Sequence, residues 1–326
     1  VPDARRAMIE GDVISVDSVF RFFRRLPRAL GRRVRNAARV VVRGCRSVLG
    51  VVSARGRSIP QAVATALRHT AWRAEVLRCV ILGFRLDTVA GTLPSAGVPL
   101  VMCLWNRPHR FASTLRQLSE QEGAPPIRLI LWNNKPSATP AYLDDIAQVG
   151  ATGAIASIEL HSSRRNIGGI ARFIVARRVT RRGSAEPFLM LDDDIHISPS
   201  FVRDLLEAWR PGTYAGFWAF VILGSYWERR EPEPQEQVDY VGTGGSVCDS
   251  SAAHDIGFFT RIPARYGFIE DLWLSAYTAS RGWRLRKVDT PFTLTSEDSN
   301  QYLALFNTKP LFWDYLRARL ERGRPL

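Results

Sequence analysis

From Val98 onward the chain alternates short apolar runs with longer amphipathic stretches. Residues 98–105 (VPLVMCLW), 127–132 (IRLILW), 155–160 (IASIEL) and 188–191 (FLML) carry few polar positions. Runs of this length without polar alternation predict strands buried on both faces, as in a parallel sheet. Between them, 110–121, 141–149 and 169–178 read as helices. This alternation predicts an α/β domain with crossover helices. Further on, 239–241 reads as a strand end, 270–279 as a helix, and 311–320 as an amphipathic aromatic helix.

In open α/β sheets the ligand sits beyond the carboxyl ends of the strands. Asn106 and Arg107 follow the first run, Asn133 and Asn134 the second, and Asp192-Asp193-Asp194 the fourth. Three consecutive carboxylates repel one another, and burial would raise their pKa values. A divalent cation resolves that conflict, and Mg²⁺ or Mn²⁺ bound with a diphosphate suits such a site. On an extended segment Asp192 and Asp194 would face one way and Asp193 the other. The plainer alternative is an exposed capping cluster for a helix starting near Pro199.

The segment before the first apolar run has a different character. Residues 1–96 hold eighteen arginines, no lysine and six acids, net +12 of the chain's +14. No acidic residue lies between Asp17 and Glu75. Arg21, Arg25, Arg28, Arg32, Arg35, Arg39, Arg43 and Arg46 recur every three or four positions beside an apolar face that includes Phe22, Leu26, Leu30 and Val34. Such a basic amphipathic pattern suits an anionic membrane surface. The alternatives are a helical hairpin packed on the body, and nucleic acid, which ranks last because no binding motif accompanies the charge. The Pro/Gly/Ser-rich stretch 93–99 marks the change, so the expected organisation is 1–96, 97–300 and 301–326.

Composition sets outer bounds. With 46% hydrophobic and 23% charged residues over 326 positions, the chain is globular, and collagen-like or wholly disordered classes are excluded. Cys45, Cys79, Cys103 and Cys248 are widely spaced, which argues against a zinc ribbon or disulfide framework and fits a reducing compartment. No apolar run is long enough to span a bilayer, and the first residues show no leader pattern, so a cytoplasmic, peripheral location is expected.

LDDDIHIS after a strand, with GFIEDLWLSAYTASRGWRL downstream, resembles the nucleotide-sugar glycosyltransferases of the GT-A fold over about 98–296. RRNIGGIARF is similar to the Asn-x-Gly…Arg helix of family 2 enzymes, and WNNKP with LDDDIHIS to retaining, exostosin-type enzymes. Two departures stand out. Asn133 occupies a strand end where family 2 enzymes usually carry Asp, and no histidine follows His254 to reach a metal.

The resemblance implies a Rossmann-like, mixed but mostly parallel sheet flanked by helices, preceded by the basic helical segment. It implies Mn²⁺ or Mg²⁺ on the DxD pair Asp192 and Asp194, with Asp193 in support and Asp192 also on the ribose-diphosphate. Asn106, Arg107 and Asn134 are candidates for base and ribose, because amides present a donor and an acceptor together. Asn166 and Arg172 would reach the nucleotide from the third crossover helix, and Gly244 and Gly245 would let the backbone approach the sugar. Asp271, with Glu270 as second candidate, would meet the reacting centre. Their plain alternative is to cap the helix they open. The expected activity is transfer of a sugar from a nucleotide donor, most simply a UDP-sugar, to a glycan or lipid-linked acceptor. The stereochemistry is open between inversion, with Asp271 as general base, and retention, with Asp271 beside an oxocarbenium-like centre, and the exostosin-type motifs lean slightly toward retention. The rivals are a sugar nucleotidyltransferase, whose glycine-rich first loop is absent from WNRPHR, and a non-enzymatic membrane or nucleic-acid adaptor.

Overall fold

The computed structural model describes residues 61–94, 96–295, 305–324 and 326. The arginine-periodic pattern of residues 21–46 lies outside the described residues. The chain divides into two units, Val1–Arg78 and Cys79–Leu326. Helix α1 (Gln61–Leu82) crosses that division. Among the described residues no helix is long and apolar enough to cross a membrane.

The second unit is built on a mixed sheet of eight strands among the described residues. In chain order the body runs β1 (Asp87–Gly91), β2 (Val98–Leu104), α2 (Pro108–Ser119), β3 (Ile127–Asn133), α3 (Thr139–Val149), β4 (Ile155–Ser162), α4 (Ala171–Val179) and β5 (Pro187–Leu191). It continues with β6 (Ile195–Ile197), α5 (Phe201–Ala208), β7 (Thr213–Gly216), β8 (Ala219–Ile222), β9 (Arg229–Arg230), β10 (Tyr240–Val241) and β11 (Gly245–Asp249). The last elements are α6 (Ser251–His254), α7 (Ile256–Arg261), α8 (Glu270–Ala279), β12 (Arg284–Lys287), β13 (Phe292–Leu294) and α9 (Thr308–Glu321).

The large sheet has the order β1-β4-β3-β2-β5-β11-β7-β12. Strands β4, β3, β2 and β5 are mutually parallel, and β12 is parallel to β7. The sheet is mixed because β11 inserts antiparallel between β5 and β7, and β1 adds antiparallel at the β4 edge. Sheet structure thus starts before Val98, in a segment too polar to read as a buried strand.

The apolar runs are explained by two-sided burial. Leu100, Met102 and Leu104 of β2 share a core with Leu129 and Leu131 of β3, Phe111 and Leu115 of α2, and Tyr142 and Ile146 of α3. On α4, Phe173 packs at 4.8 Å from Phe258 of α7 and 6.0 Å from Phe188 of β5. With both faces covered, the strands have no solvent side on which polar residues could alternate. Polar chemistry is left to the strand ends.

Candidate active site

Three strand ends meet at one corner. After β2, Asn106 takes a left-handed conformation, with φ of 63°. Such a φ is tolerated by asparagine better than by most residues, and it turns the chain so that Arg107 points inward. Arg107 is buried, and its Nη1 lies 2.5 Å from Asp193 Oδ1 and 3.1 Å from Asp194 Oδ2. The triplet does not stay extended after β5: a turn at Asp193–Asp194 brings both carboxylates to Arg107, so the expected alternation of faces is not observed.

Asp192 turns to a different cation. It pairs with Arg172 Nη2 at the start of α4. The same guanidinium donates through Nη1 to Glu270 Oε1 at 2.8 Å and to Thr243 Oγ1 at 3.3 Å. One buried side chain therefore ties the end of β5, the turn before β11 and the first residue of α8. A cation at a helix N-terminus is disfavoured by the helix dipole; here two carboxylates offset it. Gly169 makes this possible, because a Cβ there would overlap Glu270 Oε1 and Arg172 Nη1.

Electrostatics follow from this sharing. Burial pushes Asp193 up to about 7, with Asp192 and Asp194 adding to the rise and Arg107 opposing it. Burial likewise raises Asp194, which Arg107 opposes. Burial also pushes Glu270 up to about 7, although Arg172 works against it. Arg172 is itself raised, because Asp192 and Glu270 outweigh the desolvation that alone would lower it. The two partners of the Arg172–Glu270 contact thus shift in opposing senses as regards pairing. A guanidinium does not lose its proton in a protein, and one cation cannot fully neutralise two acids. Burial therefore favours the neutral form of Glu270 despite its contact with Arg172.

The acidic pair on α8 divides its contacts. Glu270 belongs to the Arg172 cluster, whereas Asp271 accepts from the Tyr240 hydroxyl at 2.5 Å and from the Leu272 N–H at 2.7 Å. Lys309 Nζ, at the start of α9, lies 3.5 Å from Asp271 Oδ2.

The remaining residues named from sequence fall into two groups. Gly244 belongs to the corner: its carbonyl accepts from Asp192 N–H at 2.8 Å, and a Cβ there would come 2.7 Å from Asp192 Oδ2. Gly245 does not, since it leaves room for the Phe217 ring and packs within the sheet. Asn106 is exposed, and its Oδ1 accepts from Lys135 Nζ at 2.5 Å. Asn134 is buried, and its amide joins the end of β3 to the loop between β4 and α4 through Ile167 N–H (3.1 Å) and the Gly168 carbonyl (3.4 Å). Asn166 Oδ1 accepts from Gly168 N–H at 2.9 Å. Asn134, expected at the base or ribose, and Asn166, expected to reach the nucleotide, both hold the loop ahead of α4 through these backbone contacts. Arg107 and Arg172 face carboxylates where nucleotide contacts were expected. The pairing of these arginines with the triplet, and the contacts of Tyr240 and Lys309 with Asp271, carry no signal in the sequence. The unlike charges were visible, but not which ones would meet.

No protein-family profile and no curated protein matches the chain. Among solved structures, it is similar to residues 1–349 of S. aureus TarS in complex with UDP, with 11% identity, 64% of this chain and 63% of that chain covered, and a TM-score of 0.43. It is also similar to GalNAc-T7 with UDP, GalNAc and Mn²⁺, with 12% identity, 68% and 48% covered, and a TM-score of 0.49. A third is the mannosyltransferase PcManGT from Pyrobaculum calidifontis with GDP-Man and Mn²⁺, with 13% identity, 79% and 73% covered, and a TM-score of 0.46. The match spans 38% of the longer TarS chain.

Proposed function

We propose that this chain is a nucleotide-sugar-dependent glycosyltransferase of the GT-A type, acting on a glycan or lipid-linked acceptor. The observation that carries the reading is the Arg172 bridge. It brings Asp192 at the end of β5 to Glu270 of α8, 78 positions apart in sequence, at the carboxyl ends of the sheet's parallel strands. The nucleotide diphosphate belongs at the strand-end corner and the acceptor hydroxyl near Asp271.

The donor set at the corner fits a divalent cation. Arg172 engages Asp192 Oδ1 and Arg107 engages Asp194 Oδ2. That leaves Asp192 Oδ2 and Asp194 Oδ1 off the arginines, on side chains 38% and 24% exposed. Among the described residues no three His, Cys, Asp or Glu side chains form a cage alone. Two carboxylates completed by phosphate oxygens and water are the usual coordination of Mg²⁺ in phosphate sites. When bound, Mn²⁺ or Mg²⁺ would supply charge stabilisation for the departing nucleoside diphosphate.

The chain's own residues prepare the rest. Arg107 and Arg172 hold the triplet in place and limit its negative charge, so that an anionic donor can enter. Gly244 keeps the side of Asp192 clear. Asp271, anchored by Tyr240, presents a carboxylate to the reacting centre. We further infer that the basic segment holds the enzyme on an anionic membrane surface.

The test is release of nucleoside diphosphate by the full chain supplied with a nucleotide sugar and Mn²⁺. Asp194→Ala is expected to abolish release. Undiminished turnover in that variant would contradict the assignment of the triplet. NMR of the transferred linkage decides between inversion and retention, toward which the exostosin-like motifs lean.

A further inference from the structure

Helix α9 contributes a charge to the site. Its body is fixed by apolar packing: Phe312 and Leu316 are buried, and Phe312 stacks on Tyr266 at 4.2 Å. Trp313 Nε1 donates to the Gly224 carbonyl at 2.9 Å. This anchoring delivers Lys309, in the first turn, to the face of α8. The Lys309 side chain is 12% exposed and that of Asp271 15%, so their 3.5 Å approach is largely screened from water. Lys309 Nζ also donates to the Tyr226 hydroxyl at 3.3 Å and lies 5.3 Å from the centre of that ring. Tyr226 packs edge-on against Tyr240, with centroids 5.5 Å apart, and the Tyr240 hydroxyl donates to Asp271 Oδ2.

We propose that Lys309 is a positioning residue for Asp271: with Tyr240 it fixes the carboxylate that faces the reacting centre, which makes α9 part of the catalytic unit. The inference rests on the glycosyltransferase reading given above.

Two features favour this over simple packing. A lysine in the first turn of a helix opposes the helix dipole, and α9 has no acidic residue there to offset it. A buried ion pair is also weak support for a fold, because well-packed apolar residues often serve as well. The local cost is explained when the partner carboxylate must keep one orientation. The other cations at the corner are already committed, Arg107 to Asp193 and Asp194 and Arg172 to Asp192 and Glu270.

The test is a double-mutant cycle on the full chain, reading nucleoside diphosphate release from the nucleotide sugar that the wild type turns over with Mn²⁺. Lys309→Met is expected to lower kcat roughly 10²-fold, the scale of a misplaced reacting group. KM for the donor should stay within about twofold, since the lysine acts on Asp271 and not on the nucleotide. Lys309→Arg should recover most of the rate. Lys309→Met added to Asp271→Asn should cost nothing beyond Asp271→Asn alone, because the effect passes through that carboxylate. Should Lys309→Met not fold, the double variant leaves no unpaired buried charge, and its comparison with Asp271→Asn still decides. Additive losses in the cycle, or wild-type kcat in Lys309→Met, would overturn the assignment of Lys309 while leaving the glycosyltransferase reading intact. Failure of the wild type to turn over any nucleotide sugar would overturn both.

Discussion

Arg172 serves two acids with one charge, and that shortage has a measurable consequence. Glu270 ordinarily would titrate near 4.5, and burial pushes it up to about 7 in the folded protein. Between those values the folded state holds a proton that the unfolded chain has released. Stability therefore falls as pH rises from about 4.5 to about 7 on account of this group. Glu270→Gln should flatten that part of the stability–pH curve, as measured by chemical denaturation across the range; an unchanged slope would contradict the burial of an ionisable Glu270 beside a shared arginine. At this scale the sequence was only partly legible. The acids stood out, since three consecutive carboxylates after a buried strand and a Glu-Asp pair opening a helix are conspicuous. Their partners did not. Arg107 and Arg172 looked like nucleotide ligands, and nothing in local spacing says that an arginine 86 positions before Asp193 will sit on it. Ion pairing between distant segments is a property of the packed sheet, not of a window of residues.

Elements were more legible than contacts, and for a physical reason. Strands β2 to β5 are buried on both faces, so their composition alone announces them, and α8 occupies the residues expected for it. The expected order of strand and helix from β2 through β5 is the order observed. The antiparallel half was much less visible. β7 and β12 are four residues each, too short for periodicity to register, and β1 is an exposed edge strand, whereas β10 falls on the strand end read at 239–241. The glycines mark where elements approach closely. Gly168 adopts φ of 73° ahead of α4, and Gly169 lies against Glu270 of α8. Gly169→Ala would place a Cβ where Glu270 Oε1 and Arg172 Nη1 meet, so that this buried contact must rearrange, and should cost about 1–3 kcal/mol, typical of overpacking. Urea denaturation tests this, and a variant as stable as the wild type would show that the Arg172–Glu270 contact does not depend on the space at Gly169.

For the whole molecule, the charge step between residues 1–96 and the remainder separates a basic segment from a nearly neutral α/β body. Sedimentation of the full chain with anionic vesicles should be lost when Arg21, Arg25, Arg28, Arg32, Arg35, Arg39, Arg43 and Arg46 are replaced by Ser, and weakened by salt, as phosphate-directed binding requires. Equal sedimentation of both forms would remove the membrane assignment without touching the site. The site itself is tested most directly by the melting temperature of the full chain against a panel of nucleotide sugars, with and without Mn²⁺. A ligand at a hundred times its Kd adds about 2.7 kcal/mol, which for a body of this size is a rise of roughly 5 °C or more. The predicted result is such a rise with at least one nucleotide sugar, dependent on Mn²⁺ and absent in Asp192→Asn. A flat response of the wild type to every nucleotide sugar would contradict the account.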